Sequence, residues 1–249
     1  MYPWTLTHLK IQMPVLALMA LTAWLLRRAL KNKRERIRMI PLQIVATTIA
    51  LLEIIKQYKS ITEGYDLFHL PLHVCSLIIL LLLGFAFYNG RYRAPLRGVT
   101  VTLCAGLCAL MLLCPAIIYS EESLLQRLQS FYDFHTTAYH LLTAFALFLV
   151  FALDLHEPRP RRDLKLSLAV MLIYCAVAAT AANLLKVNFN NFYRCNFELG
   201  DQLRLLLHER LDPCLGQALY AVLFSLITLL GLPLAYLLYY LLYRIKRRK

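Results

Sequence analysis

His69, His73, Cys75 and Ser76 fall within eight residues, in FHLPLHVCS, with Pro71 between the two histidines. Two imidazoles, a thiol and a hydroxyl at that spacing offer bases, a nucleophile and hydrogen-bond donors. The run that follows, Leu77 to Phe87, holds Leu, Ile, Gly, Ala and Phe and no charge, the composition of a helix facing hydrocarbon. Polar groups at the entrance to such a run are costly unless they face a protein interior, a water-filled cavity or one another, so the cluster marks a candidate site.

A second polar stretch, QSFYDFHTTAYHLL, carries Asp133, Thr136, Thr137 and His140 at i, i+3, i+4 and i+7, a single helical stripe. His135 falls on a different side of that helix, with Tyr132 and Tyr139. Upstream, Glu53 and Gln57 are four residues apart beside Lys56, so a carboxylate and an amide share a face; the simpler role for Glu53 is to cap its span near headgroups. Downstream, ANLLKVNFNN supplies Asn183, Asn188 and Asn190.

A thiol beside an imidazole forms a nucleophile and base pair, with an amide or carboxylate to orient the ring, and Cys, His and Asn together are one variant of the triad. Inside a membrane the electrophile such a thiol meets is the ester carbonyl of a phospholipid. The product is a thioester, with a lysophospholipid or water as acceptor. His69 and His73 are four apart and could share a metal ion, but Pro71 distorts that face and a third ligand must come from another span. No metal and no cofactor is expected, and for any one of these histidines a structural hydrogen bond is the simpler role.

The elements that must position these groups are membrane helices. Of 249 residues, 60% are hydrophobic and 16% charged, with a mean hydropathy of +0.58, unlike a soluble domain. The 27 Lys and Arg against 14 Asp and Glu give a formal charge of +13. The bases cluster between apolar runs, which is a topology signal and excludes nucleic acid as the expected partner. Seven segments have the roughly 20 apolar residues needed to cross a bilayer: Thr7 to Leu26, Met39 to Lys56, Phe68 to Gly90, Arg97 to Tyr119, Gln129 to Leu155, Leu164 to Leu185 and Cys214 to Tyr243. The chain thus reads as one all-α, multi-pass domain of the cell membrane (plasma or inner), a bundle of seven transmembrane helices across residues 1–249.

RRALKNKRERIR, RYRAPLR, EPRPRR and RIKRRK carry most of the basic residues and alternate with poorly basic connections. This pattern predicts an external N-terminus and a cytoplasmic C-terminus. The first apolar run lacks the positive head and cleavage site of a secretory signal and is kept as a span. In this topology Glu53, His69, His73, Cys75, Asp133, His135, His140 and Asn183 all fall in the outer half of spans two, three, five and six, and the inner halves carry almost nothing polar. Cys104, Cys108 and Cys175 read as small buried hydrophobes, and Cys114 falls in the fourth span beside Pro115. A disulfide between Cys195 and Cys214 is open on the external side, and Leu203 to Leu211 reads as an interfacial amphipathic helix. Tyr236, Tyr239, Tyr240 and Tyr243 read as an aromatic belt at the cytoplasmic boundary.

HLPLHVCS resembles the third-span motif of the YwaF-type bacterial membrane proteins, a family that includes the eukaryotic transmembrane protein 164. FYDFHTTAYHLL and ANLLKVNFNNF look like that family's histidine-bearing segment and the Asn-rich end of its sixth span, and Glu53 matches a position where it tends to be acidic. The likeness runs from about Glu53 to Phe192. It implies a seven-span fold and transfer of acyl chains between phospholipids and lysophospholipids through an acylated cysteine. Carried over, Cys75 is the nucleophile and His140, which shares a stripe with Asp133, is the base; His135 fits the same segment, and Asn183 or Glu53 supports. Glu53, His69, His73, Ser76, Asp133, Tyr139 and Asn188 are then candidates for binding the substrate. The rival readings are a transporter of small molecules or lipids, against which the polar residues stop halfway and no inverted repeat is visible, and a non-catalytic protein whose polar cluster fixes helix packing.

Overall fold

The computed structural model describes residues 6–113, 130–196 and 198–248. The helices are α1 (Leu6–Leu30), α2 (Glu35–Thr62), α3 (Val74–Phe87), α4 (Arg93–Leu113), α5 (Phe131–Ala152), α6 (Pro160–Leu185), α7 (Glu198–Arg210) and α8 (Pro213–Arg248), with short 3-10 turns at Leu67–His69 and Phe189–Asn191. Among the described residues, seven segments are long and apolar enough to cross a membrane: α2, α4, α5, α6 and α8, most of α1, and Leu67–Phe87, which adds the preceding turn to α3. The outward faces are apolar: Leu18, Ile44, Ile54, Ile173, Leu184 and Leu230 are among many large side chains left exposed. A surface of this kind belongs against lipid.

At the bundle's centre α4 packs against α3, α5, α6 and α8, and its residues from Arg97 to Cys104 are buried without a break. Small residues allow this. A Cβ on Gly98 would stand 2.3 Å from Asp163 Oδ1, and one on Gly84 2.7 Å from Leu96 Cδ2, so the helices approach closely where side chains are least bulky. Thr100 returns its hydroxyl to the carbonyl of Leu96 at 2.8 Å and reaches that of Leu81 at 3.1 Å, tying α4 to α3.

The basic ends of the helices are tied by charge. At the end of α5, Arg27 donates to the Ala152 carbonyl at 3.1 Å and Arg38 to Leu153 at 2.7 Å. Lys246 bonds the Phe151 carbonyl and pairs with Asp154 at 2.8 Å. Cations thus satisfy carbonyls that have no partner within the helix and meet the negative end of its dipole. Asp163, fully buried, accepts from His156 Nε2 at 3.0 Å, Arg162 at 2.9 Å, the Arg159 amide at 2.8 Å and the Tyr236 hydroxyl at 2.8 Å.

Several expectations are corrected. The second span is the 28-residue α2, not a short one. The third is helical only from Val74, because Pro71 and the extended backbone at His73 delay the helix, so Cys75 lies in its first turn. Cys195 and Cys214 are free thiols. Tyr236, Tyr239 and Tyr243 are buried, so three of the four tyrosines expected in an aromatic belt point into the bundle. The basic ends of the helices, away from the Cys75 cluster, also hold a polar centre, the one around Asp163. Cys114, Pro115, the rest of the fourth predicted span to Tyr119, the SEESLLQR connection and Gln129 lie outside the described residues.

Candidate functional site

The start of α3 is held from three sides. His73 is the N-cap, and its Nε2 donates to the carbonyl of Phe68 at 3.0 Å. Tyr174 of α6 donates its hydroxyl to the Leu72 carbonyl at 2.8 Å. Asn190, in the left-handed region at φ 46°, brings its Nδ2 onto the Tyr174 hydroxyl. Tyr139 of α5 donates to the carbonyl of Cys75 at 2.9 Å. Cys75 and its neighbour Val74 thereby occupy the first turn, where amide N–H groups have no intrahelical acceptor.

In this fixed turn the Cys75 Sγ lies 3.5 Å from His140 Nε2. The ring's other nitrogen, Nδ1, is 2.6 Å from the Thr136 carbonyl one turn back on α5. A carbonyl can only accept, so Nδ1 carries the proton and, in the neutral ring, Nε2 presents its lone pair to the thiol. Tyr139 meets the His140 ring edge-on, with centroids 5.0 Å apart. The orienting acceptor is thus a main-chain carbonyl. Asn183 instead donates to the Ala179 carbonyl on its own helix at 2.8 Å and to Phe192 at 3.5 Å, and it does not line the cavity described below.

The second histidine of α5 has a separate set of partners. His135 Nε2 stands 3.3 Å from Glu53 Oε2, while Glu53 Oε1 receives Lys56 at 2.7 Å and Gln57 at 2.8 Å. Gln57 also donates to the His69 carbonyl at 2.8 Å and accepts from Tyr65 at 2.9 Å. His69 bonds Ser60 through Nδ1 at 2.7 Å and stacks on Tyr132 at 4.3 Å. His69 and His73 therefore have different partners and share no focus. Among the described residues no group of three or more His, Cys, Asp or Glu is arranged to hold a metal ion.

Both histidine sets open onto one cavity of about 1360 Å³. Of the residues singled out in the sequence, Glu53, His69, His73, Cys75, Ser76, Asp133, His135, Tyr139, His140 and Asn188 line it. Asp133 sits in the first turn of α5, and Asn188 holds Asn196 Oδ1 at 3.2 Å and the Arg194 amide at 3.1 Å. The two sides of α5 that sequence spacing separates both reach the cavity, because it wraps around the end of that helix. Spacing alone missed Tyr174, although a tyrosine in an apolar run must find a partner for its hydroxyl. α7 borders the cavity through Leu199, Leu203 and Leu206, and its Asp201 is paired to Arg204 at 2.7 Å. That hydrogen bond holds the Asp201 carboxyl below its usual range.

Comparisons with curated proteins and with solved structures found no match. A family model matches residues 3–239, a range that takes in the whole cavity wall, and the chain belongs to the TMEM164 family.

Proposed function

We propose that this membrane protein is a phospholipid acyltransferase working through an acyl-cysteine. The observation that carries the reading is the Cys75–His140 pair, 3.5 Å apart, with the imidazole Nδ1–H donating to the Thr136 carbonyl and Nε2 toward sulfur. His140 takes the thiol proton. The thiolate attacks an ester carbonyl carbon of a phospholipid, the carbon–oxygen ester bond breaks, and the leaving oxygen receives the proton from His140, releasing a lysophospholipid. The acceptor hydroxyl, of a second lysophospholipid or of water, then gives its proton to His140 and attacks the thioester, and the departing thiolate is reprotonated. The first-turn N–H groups of α3 and the positive end of that helix face the charge that develops.

In this reading the protein is a single domain of the cell membrane with an external N-terminus. The site opens within the external leaflet, and Glu53, Lys56 and Asn188 handle the polar part of the lipid. The alternation of basic and poorly basic connections supports that orientation. The test is intact mass of the purified protein after incubation with phosphatidylcholine vesicles. An acyl-sized adduct that hydroxylamine removes, and that Cys75→Ala lacks, is expected. A folded wild-type protein with no adduct and no release of lysophospholipid overturns the reading in favour of transport or a packing role.

A further inference from the structure

The cavity has an apolar arm that the chemistry at Cys75 leaves without a role. There α4 and α8 face each other with stripes that include Leu103, Leu107 and Leu110 on one side and Ile227, Gly231 and Leu238 on the other. The spacings keep each set on one helical face. The two helices come close where Leu232 Cδ2 stands 2.9 Å from the place a Cβ on Gly106 would take. Around Gly231, the preceding residue, no atom of the described residues outside its own stretch of helix comes within 4 Å of the place a Cβ would take. No positive φ calls for glycine there, and glycine is a weak helix former in a helix interior. What residue 231 supplies is space in the wall of the arm.

On α8 the Tyr220 hydroxyl donates to the Asn191 carbonyl at 2.5 Å, and Thr228, the remaining polar side chain of that helix in the cavity wall, turns its hydroxyl back to the Phe224 carbonyl at 2.9 Å. Beyond Gly231 the apolar lining continues to Leu238, seven residues or ~10 Å further along the helix. We infer that this arm holds an acyl chain of the lipid substrate and that Gly231 sets how long a chain it accepts. The occupant follows from continuity with the Cys75–His140 pair, from the apolar lining, and from the exposure of Ile227 and Leu238, through which the arm meets the hydrocarbon the chain comes from. The inference rests on the acyl-transfer reading for its chemistry but not for its binding.

The experiment compares Gly231→Phe with Gly231→Ala in full-length purified protein, using phosphatidylcholines of short and long chains. In the catalytic background Gly231→Phe is expected to lower long-chain adduct formation by about tenfold or more while short-chain adduct is kept; Gly231→Ala, which adds a single methyl to the same wall, shifts the long-to-short ratio in the same direction by less. In a Cys75→Ser background, native mass spectrometry reads chain retention without chemistry, and Gly231→Phe is expected to lose long-chain but not short-chain lipid. If retention shifts in this way while no variant ever forms an adduct, the chain-binding arm stands and the acyl-transfer reading falls. Equal loss of both chain lengths in a folded protein, or an unchanged ratio in Gly231→Phe, overturns the inference.

Discussion

Tyr139 ties itself to Cys75 through the main chain: its hydroxyl donates to the residue 75 carbonyl at 2.9 Å from a ring only 2% exposed. The bond joins α5, which carries His140, to the first turn of α3, and so fixes how thiol and imidazole face each other. Tyr139→Phe keeps the ring and removes the donor, leaving the carbonyl with only its bond inside α3, at a cost of about 0.5–1.5 kcal/mol. The expected outcome is a folded protein with a lowered melting temperature and slower formation of the Cys75 adduct. Adduct formation at the wild-type rate would show that the bond does not position the thiol.

The two histidines of α5 have different partners, and their replacement separates their roles. His140→Ala removes the base 3.5 Å from sulfur and is expected to reduce adduct formation about 100-fold or more. His135→Ala removes the ring beside Glu53 but leaves Lys56 and Gln57 on that carboxylate, so the adduct still forms. Single-turnover mass measurements on both variants, with circular dichroism to check helix content, decide the assignment. The opposite ranking would move the base to His135.

The seven spans were legible in the sequence because length and hydropathy suffice for membrane helices. The pairing of Cys75 with a fifth-span histidine was legible from residue type. Its support was not: any helical histidine has a carbonyl one turn back, as His140 has that of Thr136, and that Asn183 turns to the Ala179 carbonyl of its own helix instead is decided by how α6 packs, which residue spacing does not encode. Asp163 was hidden for another reason. It lies in EPRPRRDLK, a stretch that reads as a basic connection, and only the fold turns its side chain inward to meet α4 and α8. The tyrosines of α8 misled in the same way, as tyrosine is common both at headgroups and in buried polar contacts.

Asp163 accepts from groups on three segments and is fully buried, so its charge has to stay matched. Asp163→Ala leaves the His156, Arg162 and Tyr236 donors facing a void, and breaking a buried ion pair from one side costs about 3–5 kcal/mol. Tyr236→Phe removes one neutral donor of several and costs about 1 kcal/mol. Thermal unfolding in detergent should rank Asp163→Ala far below Tyr236→Phe, with the latter close to wild type. Equal melting temperatures for all three proteins would remove the basic-end hub from the account of stability.

Gly98 tests the same hub by volume rather than charge. A Cβ there would stand 2.3 Å from Asp163 Oδ1 and 2.5 Å from its Cγ, and that carboxylate is held by partners on its other sides and cannot turn away cheaply. Gly98→Ala therefore forces α4 and α6 apart, although alanine favours a helix over glycine by about 1 kcal/mol. Overpacking at a rigid contact costs about 1–3 kcal/mol, so the net change is destabilising or near balance. Pairing the substitution with Asp163→Ala resolves it: once the carboxylate is gone only the residue 163 Cβ remains close, at 3.1 Å, so Gly98→Ala should then cost much less than it does beside Asp163. A double-mutant cycle of melting temperatures reads this coupling directly, and strict additivity would mean that residue 98 does not feel the carboxylate.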